Sequence, residues 1–198
     1  GTVYRFDGTN DQILGASFAP LNLSDFGWSV KLKTSQTATA YFLANDGTSG
    51  TSTWDCFISG GTTLTARVAG IAVAATVDIF DDKWHDISLS ADRGGNALLY
   101  VNNVLVKTTD VSANVAETLS FTDLYIGARA AGASPFLGSI SDVKVYNFAP
   151  TLAEFKDLTS NNIPFKWQYG SQTLITPSDD CAADNTGNWT DVNCALTQ

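Results

Sequence analysis

The chain has 198 residues, 44% of them hydrophobic, and its 11 basic and 20 acidic side chains give a formal net charge of −9. This length fits one large domain, or one domain with an appendage. A domain of this size can bury a stable hydrophobic core without disulfide bonds or structural metal ions. The basic residues are scattered, which argues against nucleic acid and anionic membranes as partners. No apolar run approaches the roughly 20 residues of a membrane span, so membrane insertion is not expected. The absence of Met favours a piece of a longer protein.

Short runs of alternating apolar and polar residues, separated by turn signals, dominate the sequence. Trp28, Val30 and Leu32, for example, share one face of a predicted strand. Further strands are predicted at residues 40–44, 54–59, 63–68, 71–77, 84–90, 98–101 and 124–127. Asn102-Asn103 lies between two apolar runs and predicts a tight hairpin turn. Many short strands with regular turns are typical of an all-β sandwich.

Residues 136–154 are the most informative segment. Their first half alternates β-branched and polar residues, as in a long strand with one solvent-exposed face. Pro150 cannot continue a ladder, so the strand must end before it. Thr151 and Glu154 have the spacing of a capping box, which predicts a short helix near residues 152–158.

Three segments in this order, residues 4–13, 83–106 and 136–154, resemble the opening strand, central hairpin and closing strand of laminin-G-like domains, which are concanavalin-A-like lectin/glucanase sandwiches. The resemblance implies an all-β fold: a two-sheet antiparallel jelly-roll sandwich with one short C-terminal helix, formed by residues 1–161. Residues 162–198 change character. We expect an extended tail or linker into a further module, with an arm packed on the sandwich as the alternative.

The resemblance also implies a structural calcium ion. Similar sandwiches bind Ca²⁺ through the opening strand, a loop carbonyl and an aspartate of the closing strand. The corresponding residues here are Asp7, Asn45 with Gly47, and Asp142. Hard oxygen ligands of this kind suit Ca²⁺. The alternative is that Asp142 only accepts hydrogen bonds from backbone amides at the edge of the strand.

Sugar binding needs an aromatic ring that stacks on a pyranose and polar side chains that bond its hydroxyls. Trp54, next to Asp55, is the predicted stacking residue, with burial in the core as the alternative. Trp28 and Trp84 have apolar neighbours at strand starts and are predicted to lie in the core.

The loop before the closing strand is the second part of the predicted sugar site. Small residues between Arg129 and Phe136 allow close approach of a ligand. The guanidinium of Arg129 is suited to binding a hydroxyl or a carboxylate. The alternative is a plain flexible loop without a ligand.

The sequence argues against an enzyme. Hydrolases of this fold place paired carboxylates on one strand, whereas this chain has only two Glu, Glu117 and Glu154, in a predicted loop and the predicted helix. The single His, His85, is interpreted as structural, and no nucleophile elbow surrounds any Ser.

Three cysteines are present. Cys56 lies in an alternating run and is predicted to be a buried free thiol. Cys181 and Cys194 close a short loop and would form a disulfide in an oxidising environment.

These features predict a non-catalytic recognition or adhesion module that binds a glycan or cell-surface polysaccharide. Its expected setting is a larger extracellular or virion-surface protein, such as a phage tail fibre, with neighbouring domains in the same chain. Homo-oligomerisation would fit a fibre, although no repeat supports it. The alternatives are an ancillary carbohydrate-binding module of a secreted polysaccharide-degrading enzyme and an architectural spacer without a ligand.

Overall fold

The computed structural model describes residues 3–15, 19–45, 50–120, 123–159, 168–169 and 172–173. The chain divides into two compact units, residues 1–155 and 156–198. The predicted module boundary at residue 161 and the linker role of residues 162–198 stay predictions. Cys181 and Cys194 lie outside the described residues.

Short β-strands make up most of the first unit. In chain order, β1 to β7 are Val3–Asp7, Ile13–Leu14, Phe26–Lys33, Ala40–Ala44, Trp54–Ile58, Thr63–Val68 and Ile71–Thr76. Strands β8 to β12 are Trp84–Ala91, Asn96–Val101, Val104–Asp110, Tyr125–Ile126 and Leu137–Tyr146. Two short 3₁₀ turns, Ser112–Asn114 and Ala130–Gly132, lie in the connecting loops, and the helix α1 is Leu152–Thr159. In the second unit, β13 (Gln168–Tyr169) pairs with β14 (Gln172–Thr173).

Within the described residues, the strands of the first unit form two six-stranded antiparallel sheets. Sheet A has the order β1-β12-β3-β8-β9-β10, and sheet B has the order β2-β11-β4-β5-β6-β7. The opening strand β1 pairs with the closing strand β12, and β12 with β3, so the two ends of the domain meet in one sheet. The predicted two-sheet antiparallel sandwich with one short helix is confirmed.

The hairpin turns follow the local sequence. Asn102 and Asn103 both adopt positive φ, 50° and 63°, between β9 and β10. Asn tolerates this left-handed conformation better than most residues, and two such residues in succession produce a tight turn that matches strand twist. Ala69 and Gly70 make the same kind of turn between β6 and β7.

The closing strand contains a β-bulge at Asp142. The pairing of β12 with β3 shifts register between Ser141 and Lys144, and Asp142 has a φ of 52°. An extra residue in a strand exchanges the faces of the residues that follow it. The bulge therefore explains how Ile140 and Val143, three positions apart, both pack towards the core.

The capping box at the start of α1 is confirmed. The carboxylate of Glu154 accepts a hydrogen bond from the backbone N–H of Thr151, and the Thr151 hydroxyl accepts one from the backbone N–H of Glu154. Phe155 then packs edge-on against Tyr100 and Tyr146, which lie on the outer face of sheet A. Phe155 thus covers the part of that face formed by Tyr100 and Tyr146. Among the described helices, none has the length and apolar character needed to cross a membrane.

The core lies between the two sheets. The Phe26 ring of β3 packs against the Trp54 ring of β5 with their centroids 5.9 Å apart. At another part of the core, Phe136 makes edge contacts with Phe6 and Phe42. Cys56 is a buried free thiol, as predicted.

Candidate functional site

A groove of about 390 Å³ opens on the outer face of sheet A, beyond the part that Phe155 covers. Its lining residues are Val3, Lys31, Trp84, His85, Asp86 and Ser141. The residues come from four strands because β1, β12, β3 and β8 are neighbours in the sheet. Lys31 alternates with the core residue Val30, and Trp84 and Asp86 alternate with the core residue Ile87, so these three side chains face away from the core. His85 is two residues from Ile87 and borders the groove from the core-facing side of β8.

Trp84 is the dominant surface of the groove. It opens β8, opposite Lys33, and is 45% exposed. Trp28 and Trp54, the other tryptophans among the described residues, are fully buried. An indole held on a β-sheet and open to solvent offers a rigid apolar plate with one N–H donor.

Charged groups of both signs lie beside this ring. The Lys31 Nζ lies 3.9 Å from Asp86 Oδ1 and 3.8 Å from Asp142 Oδ2, so one ammonium stands between two carboxylates. Asp86 Oδ1 is buried and accepts no hydrogen bond from the described residues. With the Ser141 hydroxyl, these side chains provide hydrogen-bond donors and acceptors at the edge of the indole.

His85 closes one side of the groove and has a structural role. Its Nε2 lies 2.8 Å from Asp81 Oδ1, and its Nδ1 lies 3.0 Å from Asn102 Nδ2. Asn102 uses its Oδ1 to accept the backbone N–H of Asp86, so its amide nitrogen faces the ring. Nδ1 therefore accepts and Nε2 donates, which leaves neither nitrogen free to take a proton from a ligand. The hydrogen bond from His85 and the one from Lys83 lower the pKa of Asp81.

The predicted stacking residue Trp54 lies in the core, and the prediction of a surface role for it is wrong. Its exposure is 0%, because Trp54, Cys56 and Ile58 share the face of β5 that packs against sheet A. Phe136 is also fully buried, between Phe6 and Phe42. Neither ring is accessible to a sugar.

Trp84, by contrast, was predicted to be a core residue, and this prediction is also wrong. The signal that locates it was present in the sequence. Ile87 and Leu89 are the buried residues of β8, and a residue at an odd spacing from them must face outwards. Apolar neighbours alone do not determine which face a strand residue occupies.

Asp55 and Arg129, the other two predicted sugar-binding residues, lie together on the outer face of sheet B. Asp55 accepts a 2.9 Å hydrogen bond from Nε of Arg67, whose Nη2 donates to the Tyr41 hydroxyl. The rings of Tyr41 and Phe57 stack 4.6 Å apart. We call Tyr41, Asp55, Phe57, Arg67 and Arg129 the arginine–aromatic cluster.

Asp55 has an unusual environment for a carboxylate. Its side chain is 3% exposed, and burial raises its pKa to about 6, although the positive charge of Arg67 opposes this shift. Burial penalises the charged form, and one ion pair does not compensate fully.

The pKa of Asp55 predicts a pH dependence of stability. Between about pH 4 and pH 6 the folded chain binds more protons at this site than the unfolded chain, so the contribution of Asp55 to the free energy of unfolding falls as pH rises. We expect wild type to lose about 2 kcal/mol relative to the Asp55→Asn variant between pH 4.5 and pH 7. Urea unfolding of both proteins at each pH measures this difference. A relative gain by wild type over the same interval would show that the ion pair with Arg67 outweighs burial.

The residues predicted to bind calcium are not brought together. In the pairing of β1 with β12, Asp7 lies opposite Leu137, five residues from Asp142. At about 3.3 Å per residue this places the two carboxylates on the order of 15 Å apart along the strand. Asn45 is buried, and its Oδ1 accepts the backbone N–H of Trp54. Gly47 lies outside the described residues.

In the structure, Asp142 lies beside an ammonium, that of Lys31 at 3.8 Å. The described residues contain no group of three or more His, Cys, Asp or Glu side chains that could hold a metal ion. One ion bound by both Asp7 and Asp142 is incompatible with the register of the strands. Calcium binding elsewhere in the protein stays a prediction.

The fold agrees with a comparison of the sequence with protein families. Residues 7–156 match the family model described as the concanavalin A-like lectin/glucanases superfamily. The chain belongs to this family. A comparison with curated proteins finds no match.

Solved structures with the same fold include several binding proteins. A native heptameric SAP-like pentraxin from Limulus polyphemus is 17% identical, with 81% of this chain and 82% of that chain aligned at a TM-score of 0.60. A putative carbohydrate binding protein from Bacteroides ovatus is 18% identical, over 77% of this chain and 45% of that one, with a TM-score of 0.59. The CBM40 of the Ruminococcus gnavus IT-sialidase, in complex with α2,3 sialyllactose, is 16% identical over 74% and 97% of the two chains, with a TM-score of 0.54. At these identities the likeness is one of fold.

Proposed function

We propose that this domain is a non-catalytic carbohydrate-recognition module and that the groove lined by Trp84 is its sugar-binding site. The observation that carries the proposal is an exposed indole with a carboxylate, an ammonium and a hydroxyl at its edge, in one groove on a rigid sheet. A pyranose presents an apolar face bordered by hydroxyl groups, and this arrangement is complementary to it. The solved carbohydrate-binding modules of the same fold support the proposal.

The chemistry of the groove favours binding over hydrolysis. A glycosidase needs two carboxyl groups with the scissile bond between them. Asp86 and Asp142 do lie on either side of one point, but the Lys31 ammonium occupies that point. Glu154 caps α1, and both ring nitrogens of His85 are hydrogen-bonded within the protein. The described residues therefore provide no positioned acid and nucleophile.

The setting that we propose is extracellular, where polysaccharides and cell-surface glycans are the available ligands. The partner that we propose is then a glycan, and the domain that binds it belongs to a longer chain with neighbouring domains. A tail fibre and a polysaccharide-degrading enzyme are both settings in which such a module would hold the rest of the protein on its target.

A glycan array tests the proposal. The full chain is applied to a broad set of glycans in calcium and again in EGTA, and a Trp84→Ala variant is applied alongside it. We expect wild type to bind a defined group of glycans and the variant to lose this binding. Release of reducing sugar from each bound glycan is measured in parallel.

Each result has a distinct meaning. Folded wild-type protein that binds no glycan would overturn the carbohydrate proposal and favour a spacer. Glycan binding that the variant retains would overturn the assignment of the groove. Release of reducing sugar would show that the module is catalytic. Binding that is lost in EGTA would support a calcium ion, and binding that survives EGTA would show that recognition does not need one.

A further inference from the structure

The arginine–aromatic cluster on the outer face of sheet B contains two guanidinium groups over one tyrosine ring. The Arg129 guanidinium carbon lies 4.8 Å from the centroid of the Tyr41 ring, and that of Arg67 lies 5.9 Å from it. Arg67 also lies 4.6 Å from the centroid of Phe57. Contacts with aromatic faces hold both guanidinium groups in place.

The two arginines differ in their hydrogen bonds. Arg67 donates hydrogen bonds to the Asp55 carboxylate and to the Tyr41 hydroxyl, so its positive charge is paired with a carboxylate of the protein itself. Arg129 makes no salt bridge with a described residue, and its Nε is buried without a hydrogen-bond partner among them. A buried donor without an acceptor destabilises the folded state, and more so when it belongs to a charged group.

The cluster also contains more positive than negative charge. It contains two cations and one carboxylate, in a chain whose net charge is −9. Arg129 thus carries a positive charge that Asp55, already bonded to Arg67, does not neutralise. Its side chain is half-buried, so part of it remains accessible to a ligand.

Hydroxyl groups lie on the same face of the sheet. Thr65 pairs with Phe57 across β5 and β6, and its hydroxyl lies 2.9 Å from that of Ser59. Thr63 pairs with Thr76 on the edge strand β7. The face of sheet B that carries Arg129 thus also carries hydroxyl-bearing side chains on β6 and β7.

We infer that Arg129 is the anchor of a second binding site, for a carboxylate-bearing sugar such as a uronic acid. The planar fork of a guanidinium matches the two oxygens of a carboxylate, and the charge assists both hydrogen bonds. Within the protein, Arg67 already donates one charge-assisted hydrogen bond, from its Nε, to the carboxylate of Asp55. The hydroxyl-bearing side chains on the same face of sheet B are our reason for choosing a sugar rather than a bare carboxylate. The site is on sheet B, whereas the groove with Trp84 is on sheet A, so this inference does not rest on the proposed function.

A matched pair of ligands tests the inference. Methyl β-D-glucuronide and methyl β-D-glucoside differ only in the carboxylate, and each is titrated into ¹⁵N-labelled full-length protein at constant ionic strength. We expect the glucuronide to shift the amide resonances of Tyr41 and its neighbours and to bind at least about 5-fold more tightly at this site than the glucoside, since a charge-assisted pair contributes on the order of 1 kcal/mol or more. Arg129→Ala should abolish these shifts.

Variants separate the geometry of Arg129 from its charge. Arg129→Lys keeps the charge and the aliphatic stem, so it should remain folded but bind the glucuronide more weakly than wild type. Arg5→Ala, which removes an exposed arginine from sheet A, should leave the shifts at Tyr41 unchanged. Trp84→Ala should leave them unchanged as well.

Three outcomes would overturn the inference. The first is equal binding of the glucuronide and the glucoside at this site. The second is full binding of the glucuronide by folded Arg129→Ala protein. The third is binding of acetate as tight as that of the glucuronide, which would show a general carboxylate site without a sugar. None of these outcomes bears on Trp84, so the groove is tested separately.

Discussion

Replacing Trp84 with alanine is expected to weaken glycan binding by at least about 10-fold and to leave the fold intact. The indole is the largest accessible apolar surface in the groove, and central aromatic residues commonly contribute 2 kcal/mol or more to binding. Its exposure of 45% means that nearly half of the side chain is in water in the folded state, so truncation loses less packing than it would at a core position. Surface substitutions usually change stability by less than about 0.5 kcal/mol, and we expect at most twice that here. Titration calorimetry with a glycan found on the array gives the first quantity, and urea unfolding gives the second.

Two variants serve as controls for this result. Trp84→Phe keeps a stacking ring and should retain part of the affinity. Leu14→Ala removes an exposed apolar side chain from sheet B and should bind as wild type does. If Trp84→Ala and Leu14→Ala have the same affinity as wild type, the groove is not the binding site.

Replacing Trp54 with alanine is expected to reduce the stability of the fold and to leave glycan binding nearly unchanged. Trp54 is fully buried and packs against Phe26 across the two sheets, so its truncation leaves a large cavity. Truncation of a buried Trp or Phe to Ala typically costs about 3–5 kcal/mol. This is a large fraction of the 5–15 kcal/mol that stabilises a typical domain. Urea unfolding followed by circular dichroism measures the loss.

The comparison between the two tryptophans is the informative one. Under conditions where both variants are folded, Trp54→Ala should bind the glycan with nearly the affinity of wild type, since Trp54 does not line the groove. A Trp54→Ala variant with wild-type stability and reduced binding would mean that Trp54 contacts the ligand, as the sequence had suggested.

The elements themselves were predictable because their signals are local. Alternation over a few residues predicted β3, a continuous apolar run predicted β4, and two short runs joined near Gly70 predicted the hairpin of β6 and β7. Two consecutive asparagines predicted the turn at Asn102 and Asn103, and a three-residue spacing predicted the capping box of α1. Each of these features depends on backbone preferences and on side chains within one turn or one strand.

The assignment of faces was the part that failed, although the information was partly in the sequence. Residues two apart in a strand share a face, so the correct prediction that Cys56 is buried already implied that Trp54 is buried. Phe57 lies between Cys56 and Ile58 and is the aromatic residue of β5 that faces outwards. The same rule applied to Ile87 and Leu89 would have placed Trp84 on the surface.

The calcium prediction depended on a different kind of information. Asp7 and Asp142 lie on strands that do pair, as expected, but their separation along the pair is set by register. The bulge at Asp142 and the ammonium of Lys31 beside it cannot be inferred from either strand alone. Register depends on which side chains of both strands are buried in the core and on the turns that join the strands.

The sequence by itself determined the class of fold, the strands and turns, the helix cap and the exclusion of a paired-carboxylate strand, because these follow from short-range patterns. Only the tertiary structure decided which side chains meet. It placed Val3, Lys31, Trp84 and Ser141 in one groove from four strands, and it placed Arg129 over Tyr41 on the other sheet. The reason is physical: a binding site needs groups from segments distant in sequence, and only the packing of the two sheets determines their distances and burial.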